Sequence, residues 1–374
     1  MPFARTREMP SPSLEKGFRP FFLLGALFAI VMVPLWLLVL FGIVQLNGRL
    51  DPVTWHAHEM VFGFGGAIVA GFLLTAVGNW TRRETAVGGH LLLLVGLWLA
   101  GRFTTIADIV FLPAVALAIA RPLVRTHNRR NYVVVVMLLL LSAANVWVHL
   151  GGGRRALLAG VDIVTFFMVV ITGRVVPMFT RNATARTTVR SLPKLDVVAA
   201  LSIVAVAVID ALAVESPALR LAVFASAAVF VAARAMHWGA RAASRVPLLF
   251  ILHVGHAWIA IGLALRAAAA ITGLVPSSLG LHALTAGAIG SLTIGMMARV
   301  ALGHTGRALV APRAATIAFA LVTIAAIARV VVPLVAPGAY LTALVVAAIA
   351  WSTAFALYAA SYARILVSPR IDAT

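Results

Sequence analysis

The chain of 374 residues is 62% hydrophobic and only 11% charged, with a mean hydropathy of +1.04. A soluble domain needs more charge to cover its surface, so these values exclude an ordinary soluble protein and predict a membrane protein. The formal charge of +19 does not indicate a nucleic-acid partner, because the arginines stand in short loops between apolar segments. The absence of cysteine excludes covalently attached haem, iron–sulfur clusters and thiolate metal sites.

Apolar segments follow one another along the chain, each near the length of about 20 helical residues that crosses the hydrocarbon layer. Helices satisfy every backbone polar group within the segment, so the predicted fold class is all-α. We expect one integral membrane domain over 1–374, a polytopic helix bundle with a short cytoplasmic arm at 1–19. The twelve predicted spans are 20–45, 56–78, 88–106, 107–124, 131–150, 157–179, 195–213, 218–237, 247–272, 281–302, 313–335 and 339–364.

The positive charges predict the orientation of the bundle, since cytoplasmic loops collect lysine and arginine. With the N-terminus inside, the inner segments hold all but seven of the 30 lysines and arginines. The seven on the outer side are Arg49, Arg102, Arg154, Arg155, Arg220, Arg266 and Arg329. Both termini are therefore predicted to be cytoplasmic, which an even number of spans requires, and the predicted location is the bacterial inner (plasma) membrane.

The second span opens with two histidines and a glutamate, in the segment Trp55-His56-Ala57-His58-Glu59-Met60. Ionisable groups inside a membrane are costly and usually functional. Positions two apart on a helix lie about 200° apart, so His56 and His58 are predicted to face opposite sides and to bind two different cofactors. Glu59 is the candidate for proton delivery, the catalytic role. The alternative is a pair of interfacial histidines hydrogen-bonded to headgroups or neighbouring helices.

Two further histidines fall in the same outer layer. His149 ends the fifth span and His282 begins the tenth, so both are candidate haem ligands beside His56 and His58. His282, with His56 and His58, is also a candidate metal ligand. The alternative for His149 and His282 is a polar cap at a helix end.

Three outer-side arginines are candidate partners for haem propionates. Arg102, Arg266 and Arg329 each stand near the outer end of a predicted span. Guanidinium groups bind carboxylates in a bidentate manner, which suits this role. The alternative is that each side chain extends to the lipid headgroups.

A second group of histidines lies toward the cytoplasmic side. His253 and His256 are three residues apart on the ninth span and share one helix face. That spacing suits a single metal ion such as copper, although one ring could instead bind haem while the other donates a hydrogen bond. His304 follows the tenth span and is a further candidate metal ligand. It is ~33 Å along the helix from His282, so the two cannot share a site.

Several stretches of this sequence together resemble the NnrS family of haem- and copper-containing membrane proteins. They are Arg19-Pro20-Phe21-Phe22, Trp55-His56-Ala57-His58-Glu59-Met60-Val61-Phe62-Gly63-Phe64, Gly71-Phe72-Leu73-Leu74-Thr75-Ala76-Val77, Gly173-Arg174-Val175-Val176-Pro177-Met178-Phe179-Thr180-Arg181-Asn182, Leu252-His253 to Leu265-Arg266, and Leu281-His282 through Gly303-His304-Thr305-Gly306-Arg307. The resemblance implies twelve spans, b-type haem, copper, and a role in nitric oxide metabolism and resistance to nitrosative stress.

Three functions stay open at this point. The first is a haem–copper protein that acts on nitric oxide, for example as a reductase. In that reaction two molecules of nitric oxide, two electrons and two protons give nitrous oxide and water. The electron donor is unknown. The second is a non-enzymatic haem protein that binds or senses nitric oxide, which needs no second metal. The third is a transporter with histidine relays, which predicts a colourless purified protein.

Overall fold

The computed structural model describes residues 11–46, 48, 50–184 and 188–371, and the regular structure in them is helical, as predicted. Arg49 and residues 1–10 of the predicted arm lie outside this part. The α-helices are α1 Phe18–Leu40, α2 Pro52–His58, α3 Gly66–Thr81, α4 Gly88–Gly101, α5 Thr105–Arg125, α6 Tyr132–Trp147, α7 Gly153–Ala183, α8 Pro193–Ala211, α9 Pro217–Ala235, α10 Ala240–Ala243, α11 Pro247–Ile271, α12 Ser277–His282, α13 Gly290–His304, α14 Arg313–Val335 and α15 Tyr340–Val367. Several begin on proline, whose missing N–H costs nothing in the first turn.

Three π-helical segments interrupt or flank these helices. They are π1 (Glu59–Gly65) between α2 and α3, π2 (Val148–Gly152) before α7, and π3 (Ala283–Ile289) between α12 and α13. Short π-helical segments often mark functional sites. Each of these lies at a candidate histidine: His58 precedes π1, His149 lies in π2, and His282 precedes π3.

Nine helical segments of the described chain are long and apolar enough to cross a membrane. One of them, Arg129–Ala183, has 55 residues and is bent at Gly151, whose φ of 88° is not helical. The predicted spans 131–150 and 157–179 correspond to its two arms, α6 and α7. The helix α4 has only 14 residues, and α8 carries Lys194, Asp196 and Asp210, so neither is among the nine.

The elements α2-π1-α3 are continuous and count as one bent helix, and so do α12-π3-α13. With the short α10 left out, the helices then form three consecutive units of four. The first and second helices of each unit pack together, as α1 with α3, α6 with α7 and α11 with α13. The third and fourth helices pair as α4 with α5, α8 with α9 and α14 with α15. The units close into a ring, because α5 packs on α6, α9 on α11 and α15 on α1.

Individual contacts repeat between the first and third units. A Cβ built on Gly25 would lie 2.7 Å from Ile68 Cδ1, and one on Gly255 would lie 2.7 Å from Leu292 Cγ. Glycine is needed at Gly255 because the Leu292 backbone nitrogen also lies 3.0 Å away, whereas at Gly25 the close contact is with the end of a movable side chain. The glycines of the second helix repeat in the same order, with Gly63, Gly66 and Gly71 matched by Gly287, Gly290 and Gly295.

A buried threonine marks the same level at the end of each central helix. Thr81, Thr180 and Thr305 each donate a hydroxyl hydrogen bond to the carbonyl four residues earlier, over 2.7, 2.9 and 2.6 Å. The three central helices, α3, α7 and α13, are thus related by an approximate threefold axis that runs along the bundle.

The first and last helices bring the two ends of the described chain together. Arg19 is 2% exposed and donates to the carbonyls of Leu366 and Ser368 over 3.0 and 2.5 Å. The guanidinium therefore satisfies two carbonyls at the end of α15 while it pairs with Glu15 over 3.2 Å.

Candidate metal centre

The start of α2 is fixed by its N-cap, which sets the positions of the two histidines that follow. The Asp51 carboxylate accepts hydrogen bonds from the backbone N–H groups of Val53 and Thr54 over 3.0 and 3.1 Å. Hydrogen bonds from the side chain and backbone of Thr54 are the main reason that the pKa of Asp51 is lowered from its ordinary value. A charged aspartate at this position also interacts favourably with the helix dipole.

Three ligand-type side chains, from α2, α5 and π2, meet at one point. His58 Nε2 lies 3.1 Å from Asp108 Oδ2, and His149 Nε2 lies 2.9 Å from the same oxygen. The three donor atoms all lie within 4.8 Å of one another. His58 and Asp108 are 2% exposed, and His149 is partly buried. These three residues form the candidate metal centre.

A second set of groups surrounds the three. His58 Nδ1 lies 3.0 Å from Glu59 Oε1, and Arg102 donates to Glu59 Oε2 over 2.7 Å and to Asp108 Oδ1. The amide nitrogen of Asn145 donates to Asp108 Oδ2 over 2.9 Å. Both carboxylates are thus oriented by a guanidinium, and both nitrogens of the His58 ring face acceptor oxygens.

Charge balance favours a cation at this centre. The group contains two carboxyl groups, Glu59 and Asp108, and one guanidinium, Arg102. Buried charges that remain unpaired are costly, so a cation bound at His58 Nε2 would balance the carboxylate that Arg102 does not neutralise.

On the other side of α2, His56 meets a separate set of residues. Its ring stacks on Trp36 with 4.6 Å between centroids and 16° between planes. His282 donates through Nδ1 to the Ser278 carbonyl over 2.8 Å, which leaves its Nε2 as the ring atom available to a ligand. Arg329 lies within electrostatic range of both rings, and its Nη1 is buried without a hydrogen-bond partner.

The histidines of α11 are hydrogen-bonded to protein groups. His256 has Nδ1 3.1 Å from Thr172 Oγ1 and Nε2 3.1 Å from the Val231 carbonyl. The Nε2 atom of His253 lies 3.1 Å from Thr180 Oγ1. A metal bound to His256 would have to replace one of these bonds. The metal role of His253 and His256 stays a prediction.

The remaining predicted residues are placed apart from the centre. His304 Nε2 lies 3.3 Å from the Asn79 amide nitrogen. Arg266 is buried and binds Asp162 Oδ1 over 2.9 Å as well as Asp210. As placed here, Arg102 and Arg266 are both paired with carboxylates of the protein, so a haem propionate would compete with those partners.

Sequence reasoning missed Asp108 and Asn145. The signal for Asp108 was present, since it is an acidic residue within a predicted span, where ionisable groups are costly. No comparable signal exists for Asn145, because its partners, His58 and Asp108, lie 87 and 37 residues away in the chain.

The chain matches a known protein family over nearly its whole length. Residues 12–370 match the family model described as "NnrS protein", which covers nearly the whole chain and every residue of the candidate centre. A search of curated proteins found no similar sequence.

Proposed function

The chain belongs to the NnrS family, and from this premise we propose that it is a copper- and haem-dependent inner-membrane protein of nitric oxide metabolism and nitrosative-stress resistance. The observation that carries the proposal is the buried set His58, Asp108 and His149, with three donor atoms converging on one point. The surrounding bilayer favours an uncharged substrate such as nitric oxide, which dissolves in an apolar medium.

The proposed topology has twelve spans with both termini in the cytoplasm. It is supported by the three units of four helices, because parallel repeats with an even number of helices all enter the membrane from the same side. The contact of Arg19 with the end of α15 supports termini on a common side. The excess of lysine and arginine in the proposed inner loops supports the cytoplasm as that side.

Copper is the proposed metal because the family resemblance implies it, and its chemistry fits the candidate centre, although the same donor types also bind zinc and non-haem iron. Two imidazoles and one carboxylate are suitable donors for copper, and the 2.9 and 3.1 Å spacings suit ligands about 2 Å from one ion. Metal-bound histidines usually donate their other ring N–H to a carboxylate, and Glu59 accepts from His58 Nδ1 in this way. The proposed charge state of the centre is then the one with a bound cation and a neutral His58.

The second proposed cofactor is haem b, which His56 and His282 would hold. Arg329 has an unpartnered buried Nη1, which suits a propionate carboxylate. The donor set fits haem, but Trp36 covers one face of His56, so this side chain must move to admit a macrocycle. The roles proposed for the protein's own side chains do not depend on the haem.

The proposed activity is the reduction of nitric oxide to nitrous oxide, with electrons from a donor still to be identified. The bound metals would supply electron transfer and ligand binding. The protein's own contribution is to hold the ligand geometry and to manage protons. Glu59 is the candidate for proton delivery next to the centre, and Arg102 holds its carboxyl group in place over 2.7 Å.

An anaerobic assay of the purified, metal-loaded protein with a chemical reductant tests this activity. We expect nitrous oxide to form at half the rate at which nitric oxide is consumed. Full copper and haem occupancy with stoichiometric nitric oxide binding, but without turnover, would favour the binding or sensing protein instead. A colourless, metal-free protein that moves an ion across vesicles would favour the transporter.

A further inference from the structure

An apolar cavity of about 100 Å³ lies between the central helices of the bundle. Its wall is formed by α3, α7 and α13, with contributions from α1, α11 and two π segments. The two threonines in the wall present no free hydroxyl, since Thr172 donates to the Met168 carbonyl over 2.6 Å and Thr293 donates to the Gly290 carbonyl over 3.1 Å. The lining is therefore apolar throughout.

The cavity lies on the approximate threefold axis. The cavity is lined at one level by Phe72, Ile171 and Met296. Each of them stands nine residues before the buried threonine of its own helix, which is Thr81, Thr180 or Thr305. Ile68, Phe167 and Leu292 line it one turn further away, at thirteen residues from the same threonines. Two more levels, which begin at Gly65 and Val69, repeat the pattern.

At the level of Gly65 one of the three lining positions has no side chain, which leaves space between the three helices.

Size and lining restrict what the cavity can hold. An apolar cavity of about 150 Å³ is known to stay dry and to take benzene or xenon, so a space of about 100 Å³ is large enough for xenon or a diatomic gas. Water needs two or more polar partners, which this wall does not offer. Ions are excluded by the cost of desolvation.

The cavity is close to the candidate metal centre. Gly65, in its wall, is the last residue of π1, and Glu59, beside the centre, is the first. Six helical residues rise about 9 Å along the helix axis. The Gly65 end of the cavity therefore lies within about two helical turns of His58.

We infer that this cavity binds one small uncharged gas molecule and holds it next to the metal centre. The identification of that gas as nitric oxide rests on the proposed function, whereas the binding of a small apolar molecule does not. Xenon is therefore the probe, because its occupancy is independent of copper, haem and turnover.

The test is xenon-pressurised crystals of the purified protein, with anomalous scattering to locate the gas. The wild type should show xenon between α3, α7 and α13. The variants Val164→Phe and Ile171→Phe, which extend into the cavity from α7 at two different levels, should each lose it. The control Val204→Phe, on α8 at a position 43% exposed, should keep it.

Three outcomes overturn the inference: absence of xenon from the wild-type cavity, retention of xenon there in both folded filling variants, or a lipid acyl chain in its place. Copper measured on the same samples separates this inference from the proposed function. Copper without xenon contradicts the gas site alone, and xenon without copper contradicts the metal centre alone.

Discussion

Glu59 Oε1 lies 3.0 Å from Nδ1 of the neighbouring His58, so the carboxylate fixes the orientation of the imidazole and directs its Nε2 at Asp108. Consecutive residues of a regular helix point about 100° apart, which does not favour such a contact. Here the second residue opens the π segment Glu59–Gly65. Disruption of this pair should therefore lower metal affinity more than it lowers the stability of the fold.

Replacement Glu59→Gln keeps the shape of the side chain and removes its charge. We expect metal affinity at His58 to fall about 10- to 100-fold, because a hydrogen-bonded carboxylate makes a metal-binding imidazole more basic. The measurement is copper affinity by competition with a chelator. The control is Glu84→Gln, at an exposed position in the loop after α3. Equal affinities in the two variants would contradict this account.

Replacement Arg102→Met should lower the free energy of unfolding by about 3–5 kcal/mol, since it leaves Glu59 and Asp108 buried without their common cation. Thermal unfolding in detergent measures the change. The control Arg155→Met removes an exposed arginine at the start of α7 and should have little effect. A melting temperature of Arg102→Met equal to that of the control would show that the three charges do not stabilise the fold.

The close approach of α11 and α13 predicts a destabilising effect at Gly255. Replacement Gly255→Ala should destabilise the protein, because the added Cβ would meet Leu292 Cγ at 2.7 Å and the Leu292 backbone nitrogen at 3.0 Å. Gly96→Ala, where nothing lies within 4 Å, should instead be neutral or stabilising by about 1 kcal/mol through helix propensity. Thermal unfolding of Gly255→Ala, Leu292→Ala and the double variant measures the coupling. Gly255→Ala should cost less when Leu292 is already alanine, and an equal cost in both backgrounds would show that this contact is not the cause.

The two faces of α2 predict separate losses on mutation. His56→Ala should change the reduced-minus-oxidised optical spectrum of the haem and leave copper content intact. His58→Ala should reduce copper content and leave that spectrum largely unchanged, since the two rings contact different residues. Identical losses in both variants would indicate a single shared site.

Much of the architecture could be predicted from composition alone. Hydropathy indicates an all-helical membrane protein, and the spacing of His56 and His58 requires that they face different neighbours. The centre could not be predicted in the same way, because His58, Asp108 and His149 lie on different helices and their meeting depends on packing. The sequence carries a signal for the threefold repeat in the glycines at 63, 66, 71 and 287, 290, 295. That signal is weak, since glycine is common in membrane helices generally.

The partners of the outer-side arginines also could not be predicted from the sequence. An outer-side arginine is compatible with a propionate, a headgroup or a carboxylate of the protein, and the sequence cannot distinguish them. Arg102 and Arg266 pair with acidic residues of other helices. Arg329 has a buried nitrogen without a partner, which distinguishes it from the other two. Tertiary structure therefore separates three residues that are equivalent in the sequence.

The central claim is that His58, Asp108 and His149 hold one copper ion. Its most direct test is copper content per chain, with the electron paramagnetic resonance spectrum, for the purified wild type, His149→Ala and the control His127→Ala in the loop after α5. We predict one copper with nitrogen hyperfine structure in the wild type and the control, and loss of that copper in His149→Ala. An unchanged copper content and spectrum in His149→Ala would contradict the assignment.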